Sequence, residues 1–217
     1  ADACVSAGNT GALLAMARYV LKTLPGIKRP ALISTLPTYE DEKVHLLDLG
    51  ANIHQCADTL FQFAVMGSVM AEEVEGVELP RVALLNVGEE EIKGSDHLKQ
   101  TAEKLAASKY INYVGFAEGN DIFSGKADVI VCDGFTGNVV LKEIEAFYSL
   151  VKKRGIDDAY FNRLNYENYG GTPILGVNSN VIIGHGISSP EAIKNMLLLS
   201  RDVVKAQLTE KIQNAFK

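Results

Sequence analysis

The sequence has no tryptophan and only three cysteines among its 217 residues. Cys4, Cys56 and Cys132 are widely spaced and form no Cys-x-x-Cys pair, which argues against a disulfide framework and a zinc site. The three read as buried small hydrophobic residues, and a reducing cytosol is the simplest compartment. No apolar run is long enough to cross a bilayer. Acidic residues outnumber basic ones by 27 to 21, which argues against a protein that binds nucleic acid through its phosphates.

Short apolar runs alternate with longer stretches of helical periodicity, and neither a repeat nor a flexible linker divides the chain. Strands are predicted at 31–36, 44–49, 81–87, 111–116, 129–132 and 181–183, and residues 1–5 read as the end of another. Helices are predicted at 11–21, 57–74, 95–107, 138–153 and 190–215. This alternation predicts one α/β domain over residues 1–217 with a mainly parallel sheet. The apolar runs are continuous, as in strands buried on both faces.

Glycine-rich polar loops follow six of the predicted strands. They are residues 6–11, 48–52, 86–94, 118–121, 133–138 and 184–186. If all these strands are parallel, the loops gather at one edge of the sheet, where open α/β sheets bind ligands. Backbone N–H groups at helix starts favour an anion. We therefore expect an anion or small-molecule site, although neither a dinucleotide fingerprint nor a phosphate loop of the Gly-Lys-Ser/Thr type occurs.

Two charged residues in these loops are candidates for chemistry. His185 stands between two glycines and could bind phosphate as a cation or transfer a proton. Lys93 follows an acidic trio, 89–91, that reads as a metal site or a solvated turn, and the lysine favours a charge pair or an anion clamp. No histidine has metal-ligand spacing, so no metal is predicted. His45, inside an apolar run, is expected at a core or edge position of the sheet and not as a ligand.

The motifs together resemble one family. They are Ser6-Ala-Gly-Asn-Thr-Gly-Ala12, Leu47-Asp-Leu-Gly-Ala-Asn52, Met66-Gly-Ser68, Leu85-Asn-Val-Gly-Glu-Glu-Glu-Ile-Lys-Gly94, Cys132-Asp-Gly-Phe-Thr-Gly-Asn-Val-Val-Leu-Lys142, Tyr169-Gly-Gly-Thr-Pro-Ile-Leu-Gly176 and Ile183-Gly-His-Gly186. In this order they closely resemble the PlsX-type phosphate acyltransferases of bacterial phospholipid synthesis. The resemblance covers nearly the whole chain.

The resemblance implies that a fatty acyl group passes from acyl carrier protein to inorganic phosphate, without a cofactor, giving acyl phosphate for the acylation of glycerol 3-phosphate. It implies the three-layer α/β fold shared with phosphotransacetylases and isocitrate/isopropylmalate dehydrogenases. It also implies a cytoplasmic homodimer in peripheral contact with the inner face of the cell membrane and with glycerol-3-phosphate acyltransferase. Family members carry an upstream strand and an Asp-x-Met-Gly-Gly-Asp loop that this sequence lacks. Residues 143–168 correspond to a variable helical segment, which is short here.

Roles for nine residues follow from the loops and the resemblance. Backbone and side-chain groups of the polar loops would hold phosphate, Lys93 or His185 would supply positive charge, and two asparagines would orient the thioester. Asp133 would fix its loop. The candidate catalytic residues are Lys93, Asn138 and His185, and the candidate binding residues are Ser6, Asn9, Thr10, Asn52, Asp133 and Thr136. A weaker similarity to phosphotransacetylases places Lys142 after Gly137-Asn138 and His185 where those enzymes have an anion-binding arginine.

Transfer is expected to be direct, although Cys132 beside the Asp133 loop leaves a nucleophile as an alternative. An acidic carrier protein would need a basic patch on this acidic chain, either at Lys22, Lys28 and Arg29 or at 152–154. Two other functions stay open. One is a dehydrogenase of the isopropylmalate type, for which no nicotinamide fingerprint is present, and the other is a non-catalytic carrier-binding protein.

Overall fold

A mixed sheet forms the centre of the molecule. The computed structural model describes residues 1–40, 42–186 and 188–217, and within them the sheet has eight strands. The strands are β1 (Ala3–Ser6), β2 (Ala31–Pro37), β3 (Lys43–Leu47), β4 (Arg81–Leu85), β5 (Asn112–Ala117), β6 (Val129–Val131), β7 (Thr172–Leu175) and β8 (Asn180–Ile183). Their spatial order is β1-β8-β7-β2-β3-β6-β4-β5.

Helices cover both faces of this sheet. They are α1 (Thr10–Met16), α2 (Ala57–Glu75), α3 (Asp96–Ala106), α4 (Gly134–Lys153), α5 (Ala159–Asn162), α6 (Pro190–Lys205) and α7 (Leu208–Asn214). A π-helical turn, Ala17–Leu21, continues α1, and short 3₁₀ turns occupy Gly119–Asp121 and Tyr166–Tyr169. The segment 143–168 thus holds the second half of α4, all of α5 and the start of the second 3₁₀ turn.

The parallel strands form two blocks that run in opposite directions. Strands β3, β6, β4 and β5 are parallel to one another, and β1 is parallel to β8. The pairings β8–β7, β7–β2 and β2–β3 are antiparallel. Three antiparallel pairings in succession leave β1 and β8 running opposite to β3, β4, β5 and β6. The expectation that six loops share one edge is therefore wrong: the loops after β1 and β8 lie at one edge, and the other four lie at the opposite edge.

The sheet separates two apolar layers, because strand side chains alternate between its faces. On one face, Ile33 packs among buried side chains of α2, α3, α6 and α7. On the other, Leu32 packs with Leu14 of α1 and Leu141 of α4. This arrangement of helix, sheet and helix confirms the predicted three-layer α/β fold, and most strand pairings within the described residues are parallel. His45 is buried in β3 as expected, with Nδ1 3.1 Å from Thr35 Oγ1.

The observed elements differ from the predicted ones at several positions. Strand β7 was not predicted, because its four residues include Pro173 and follow two glycines. Helix α4 begins four residues before the predicted position, at Gly134. The helix predicted over 190–215 is interrupted at Gln207, whose φ is +53°. The turn there lets α7 bury Leu208 and Ile212 in the core.

Candidate functional site

A cleft of about 410 Å³ lies on the face of the sheet that carries α1 and α4. Its apolar floor includes Leu32 and Ile183, from strands β2 and β8. Polar groups reach it from three segments: the start of α1, the first half of α4 and the loop after β8. The cleft is lined by residues of β2, β7 and β8, whose antiparallel pairings separate the two strand blocks. Loops that follow strands of both blocks line it: those after β1 and β8, and the one after β3.

The wall formed by α1 depends on Asn9. Its Oδ1 accepts a hydrogen bond of 2.9 Å from the backbone N–H of Ala12, and this contact caps the helix. Asn9 and Thr10 are both exposed and line the cleft. Ser6 ends the strand that leads into this turn, and its Oγ accepts a hydrogen bond from Gly8 N (3.2 Å). Ser6 thus shapes the turn, whereas Asn9 and Thr10 face the cleft.

The wall formed by α4 begins with a capped helix. Asp133 is the N-cap: its carboxylate accepts hydrogen bonds from the backbone N–H (2.8 Å) and the hydroxyl (3.0 Å) of Thr136. Both side chains therefore stabilise the helix start, and neither lines the cleft. Asn138, one turn further on, lines the cleft and donates from Nδ2 to the carbonyl oxygen of Leu49 (3.3 Å).

A buried carboxylate organises the loop that faces α4. Asp48 is fully buried, and it accepts hydrogen bonds from Leu32 N (2.9 Å), Ala51 N (3.2 Å) and Asn52 N (2.8 Å). Burial raises the pKa of this carboxyl, and the hydrogen bonds partly oppose the shift. The side-chain amide of Asn52 donates to Asp48 (2.9 Å) and to the Pro30 carbonyl (2.7 Å). Asn52 is thus engaged in holding the loop and does not line the cleft.

Three charged or ionisable side chains meet where α4 approaches the loop after β8. Lys142 Nζ lies 2.7 Å from Glu145 Oε2, and His185 Nε2 lies 3.5 Å from Glu145 Oε1. Lys142 and His185 both line the cleft. Asn9 and Asn138 line the same cleft, and together these four side chains provide hydrogen-bond donors that can hold an anion.

Lys93 is not part of this group. It is exposed in the loop after β4, a strand that β6 separates from β3. The Lys93 backbone closes that loop through contacts with Glu90 (2.9 Å) and the side chain of Asn86 (3.2 Å). The structure therefore places Asn9, Thr10, Asn138 and His185 around one cleft, with Ser6, Asn52, Asp133 and Thr136 supporting its walls and Lys93 outside it.

Two residues were absent from the predicted site: Lys142, which lines the cleft, and Glu145, which contacts Lys142 and His185. Lys142 and Glu145 lie four and seven residues after Asn138, so all three share one face of α4. That spacing is visible in the sequence and could have identified both. The prediction named Lys142 only through the similarity to phosphotransacetylases, and it placed Asn138 at the first residue of the helix, whereas Asn138 lies in the second turn.

The cysteines divide into two kinds. Cys132 is buried, as expected, but Cys4 and Cys56 are exposed, which corrects the expectation that all three are buried. Cys4 lies in β1 at the outer edge of the sheet, and Cys56 is the N-cap residue of α2. In the part of the chain that the structure describes, no group of three or more His, Cys, Asp or Glu residues is placed to hold a metal ion.

Comparisons with known proteins identify the family. The family model described as "Fatty acid synthesis protein" matches residues 1–211. The chain belongs to this family. A phosphate acyltransferase of Aeromonas salmonicida is 52% identical over 224 residues, with 96% of this chain and 66% of that protein covered. A phosphate acyltransferase of Colwellia psychrerythraea is 48% identical over 237 residues, with 100% of this chain and 68% of that protein covered. The recognised resemblance is thereby confirmed, and the relatives' name agrees with the predicted enzyme class, an acyltransferase.

Solved structures agree on the fold. A phosphotransacetylase from Streptococcus pyogenes has a TM-score of 0.67 at 20% identity, with 97% of this chain and 64% of that one covered. The EutD phosphotransacetylase from Staphylococcus aureus has a TM-score of 0.65 at 20% identity, with 94% of this chain and 63% of that one covered. The chain spans about two thirds of the length of these proteins and of the family relatives. Among the described residues, no helix is both long and apolar enough to pass through a bilayer.

Proposed function

We propose that this chain forms the phosphate-binding part of an enzyme that transfers a fatty acyl group from acyl carrier protein to inorganic phosphate. The observation that carries this proposal is the cleft in which Asn9, Thr10, Asn138, Lys142 and His185 converge. A lysine, a histidine and neutral donors suit a phosphate that must be held firmly and then released as part of the product. The relatives' name, phosphate acyltransferase, supports the same reaction.

In the proposed reaction phosphate is itself the nucleophile, so the protein has to position phosphate and the thioester and does not have to supply a nucleophile. An oxygen of hydrogenphosphate bonds to the thioester carbonyl carbon, the carbon–sulfur bond breaks, and the carrier thiol leaves with the phosphate proton. Holding the two reactants together removes most of the entropic barrier, and fixed donors stabilise the charge on the carbonyl oxygen. We assign phosphate to Asn9, Thr10, Lys142 and His185, and the thioester carbonyl to Asn138.

Cys132 supports direct transfer because its surroundings make it a poor nucleophile. The thiol is buried, and burial together with the charges of Asp133 and Asp48 raises its pKa well above the usual value. Its Sγ lies 3.7 Å from the Asp48 carbonyl oxygen, to which it donates. The acyl group would therefore pass to phosphate without an acyl-cysteine intermediate.

The decisive experiment incubates the protein with an acyl carrier thioester and phosphate, then traps acyl phosphate as a hydroxamate. We expect acyl phosphate from the wild-type protein, a phosphate KM raised at least about tenfold in His185→Ala, and a kcat lowered at least about tenfold in Asn138→Ala, because Asn138 is assigned to the thioester carbonyl. Val139→Ala is the matched control, because Val139 is half-exposed beside Asn138. Unchanged phosphate KM and kcat in both cleft variants would contradict the assignment. Reduction of NAD with a hydroxy acid would favour the dehydrogenase alternative.

The carrier protein is proposed to dock near Lys28. Lys28 and Lys104 both contact Asp58, at 2.6 and 2.9 Å, beside a surface groove that Lys109 also lines. The pairing with Asp58 holds both lysines in place, and the groove remains net positive. We expect Lys28→Glu to weaken carrier binding in a salt-dependent way, with Lys153→Glu testing the second basic patch at the end of α4. Retained binding in both variants would place the carrier on another surface.

The wider setting is proposed from the family alone. It comprises a cytoplasmic homodimer, peripheral contact with the inner face of the cell membrane and delivery of acyl phosphate to a glycerol-3-phosphate acyltransferase. Sedimentation of the protein alone tests the dimer, and co-sedimentation with anionic vesicles tests the membrane contact.

A further inference from the structure

Glu145 connects two cleft residues that belong to different parts of the fold. Lys142 precedes it by one turn on α4, whereas His185 lies in the loop after β8, in the other strand block. The carboxylate contacts both, through Oε2 at 2.7 Å and Oε1 at 3.5 Å. An ion-pair contact thus crosses the cleft at the position where phosphate is proposed to bind.

The surroundings of this carboxylate are unusual for a surface helix. Only 24% of the Glu145 side chain is exposed. Oε1 is buried, and within the described residues it accepts no hydrogen bond of good geometry. Removing a carboxylate oxygen from water without a hydrogen-bond donor is unfavourable. Oε1 lies 3.5 Å from the His185 ring nitrogen, and this contact offsets part of that cost.

Each contact with Glu145 restricts the side chain of its partner. Lysine carries about 2 kcal/mol of rotamer entropy, and Lys142 is exposed on its helix. His185 is flanked by two glycines, and its side chain is 39% exposed. A carboxylate between them restricts both side chains before any ligand arrives. Ordering that precedes binding does not have to be repeated when the ligand binds.

We infer that Glu145 is a positioning residue for phosphate: it holds Lys142 and His185 on the two sides of the cleft so that both can donate to one anion. The inference rests on the proposed function, because it concerns the phosphate site of that reaction. The carboxylate also repels an incoming dianion, so the sign of its effect on affinity is diagnostic.

The test measures phosphate binding by calorimetry, without an acyl donor, and phosphate KM and kcat in parallel. Glu145→Gln keeps the shape and removes the charge. Because its contacts with Lys142 and His185 are weakened, the phosphate Kd and KM should rise by about tenfold, with kcat at saturating phosphate within about twofold of wild type. Glu145→Asp, with the charge on a shorter stem, should lie between. Glu143→Gln is the matched control, because Glu143 is exposed on the same helix.

A double-mutant cycle separates positioning from a general structural role. In a Lys142→Met background, Glu145→Gln should weaken phosphate binding clearly less than it does in the wild type, because one of the two side chains that Glu145 contacts is gone. Equal costs in both backgrounds, or a loss confined to kcat and thermal stability, would overturn the inference. Tighter phosphate binding in Glu145→Gln would overturn it too, since the carboxylate would then be a competitor of phosphate. If phosphate binds as predicted but no acyl phosphate forms, the proposed function fails and the inference on the anion site stands.

Discussion

The α-carbon of Gly137 packs directly against the carbonyl oxygen of Asp48. A β-carbon at position 137 would overlap that oxygen, and one at Gly134 would lie 2.5 Å from the carbonyl oxygen of Asn52. The backbone N–H of Gly134 donates to the same Asn52 oxygen at 2.8 Å. The two glycines thus let the start of α4 lie against the loop after β3, and this contact brings Asn138 to the carbonyl of Leu49.

Replacing Gly137 by alanine should therefore damage the site through the backbone. We expect Gly137→Ala to lower the free energy of unfolding by about 1–3 kcal/mol, because overpacking forces the helix away from the loop. Phosphate affinity should fall as well, since Asn138 and Lys142 move with α4. Chemical denaturation and calorimetry measure the two effects. Gly119→Ala is the control, because a β-carbon there has open space. Equal stability of the two variants would show that the loop yields easily.

Lys142 should contribute more to phosphate binding than its neighbours on α4. Its ammonium lines the cleft, whereas Lys153 is exposed at the end of the same helix. We expect Lys142→Met to raise the phosphate KM about tenfold or more, because a charge-assisted hydrogen bond is lost. Lys153→Met should leave the KM unchanged. Equal effects in the two variants, measured at constant ionic strength, would indicate a long-range electrostatic attraction of phosphate and not a specific contact.

Much of the fold could be predicted from the sequence because buried strands and long amphipathic helices have clear patterns. The capping signal at Ser189-Pro190 is one example: Ser189 Oγ accepts a hydrogen bond from Ala192 N at 3.2 Å and begins α6. The reversal of strand direction was not predictable in the same way. It depends on β7, a strand of four residues that contains Pro173, and nothing in a short apolar run reports its direction.

The site shows the same division. The glycine-rich loops were expected to carry polar residues toward a ligand site. His185 was chosen from its loop, and Asn138 from the loops together with the family resemblance. Asn52 and Asp133 have the same composition signals but serve other parts of the fold, since asparagine and aspartate also cap helices and close turns. Lys93 remains a predicted site residue outside the observed cleft. Which polar loop residues face a ligand is decided by tertiary packing.

His45 should make the protein sensitive to acid. Burial in β3 lowers the pKa of this histidine from 6.5 to about 4, against the opposing attraction of Glu75. The unfolded chain therefore binds a proton more readily than the folded protein between these two pH values. The contribution of His45 to the free energy of unfolding is therefore fully present above pH 6.5. It is lost as the pH decreases toward 4, by up to about 3 kcal/mol.

His45→Gln should flatten this part of the stability profile, because glutamine does not titrate. Denaturant midpoints at pH 7, 6, 5 and 4.5 measure the slope. His54→Gln is the control, since His54 is exposed. Burial also raises the pKa of Asp48. Because Asp48 is present in the wild type and in both variants, its effect cancels when their stability profiles are compared. An identical slope in His45→Gln and wild type would show that other groups cause the acid sensitivity.

The cysteines should differ sharply in reactivity. Hydrogen bonds from the hydroxyl and backbone of Thr59 lower the pKa of the exposed Cys56 thiol, whereas burial raises that of Cys132. Because the thiolate is the reactive form, iodoacetamide at neutral pH should alkylate Cys56 well before Cys132. Peptide mass spectrometry over a time course measures both rates. Cys132 should react only after denaturant is added, and early labelling of Cys132 in the folded protein would contradict the buried position.

The same difference decides whether Cys132 takes part in acyl transfer. The hydroxyl of Cys132→Ser can still donate to the Asp48 carbonyl, so the fold should survive with a modest loss of stability. If phosphate attacks the thioester directly, this variant should retain most of its kcat, because no bond to the Cys132 sulfur forms. Cys56→Ser serves as the matched control at an exposed thiol. A folded Cys132→Ser protein without acyl transfer, beside an active Cys56→Ser, would replace direct transfer with a covalent mechanism.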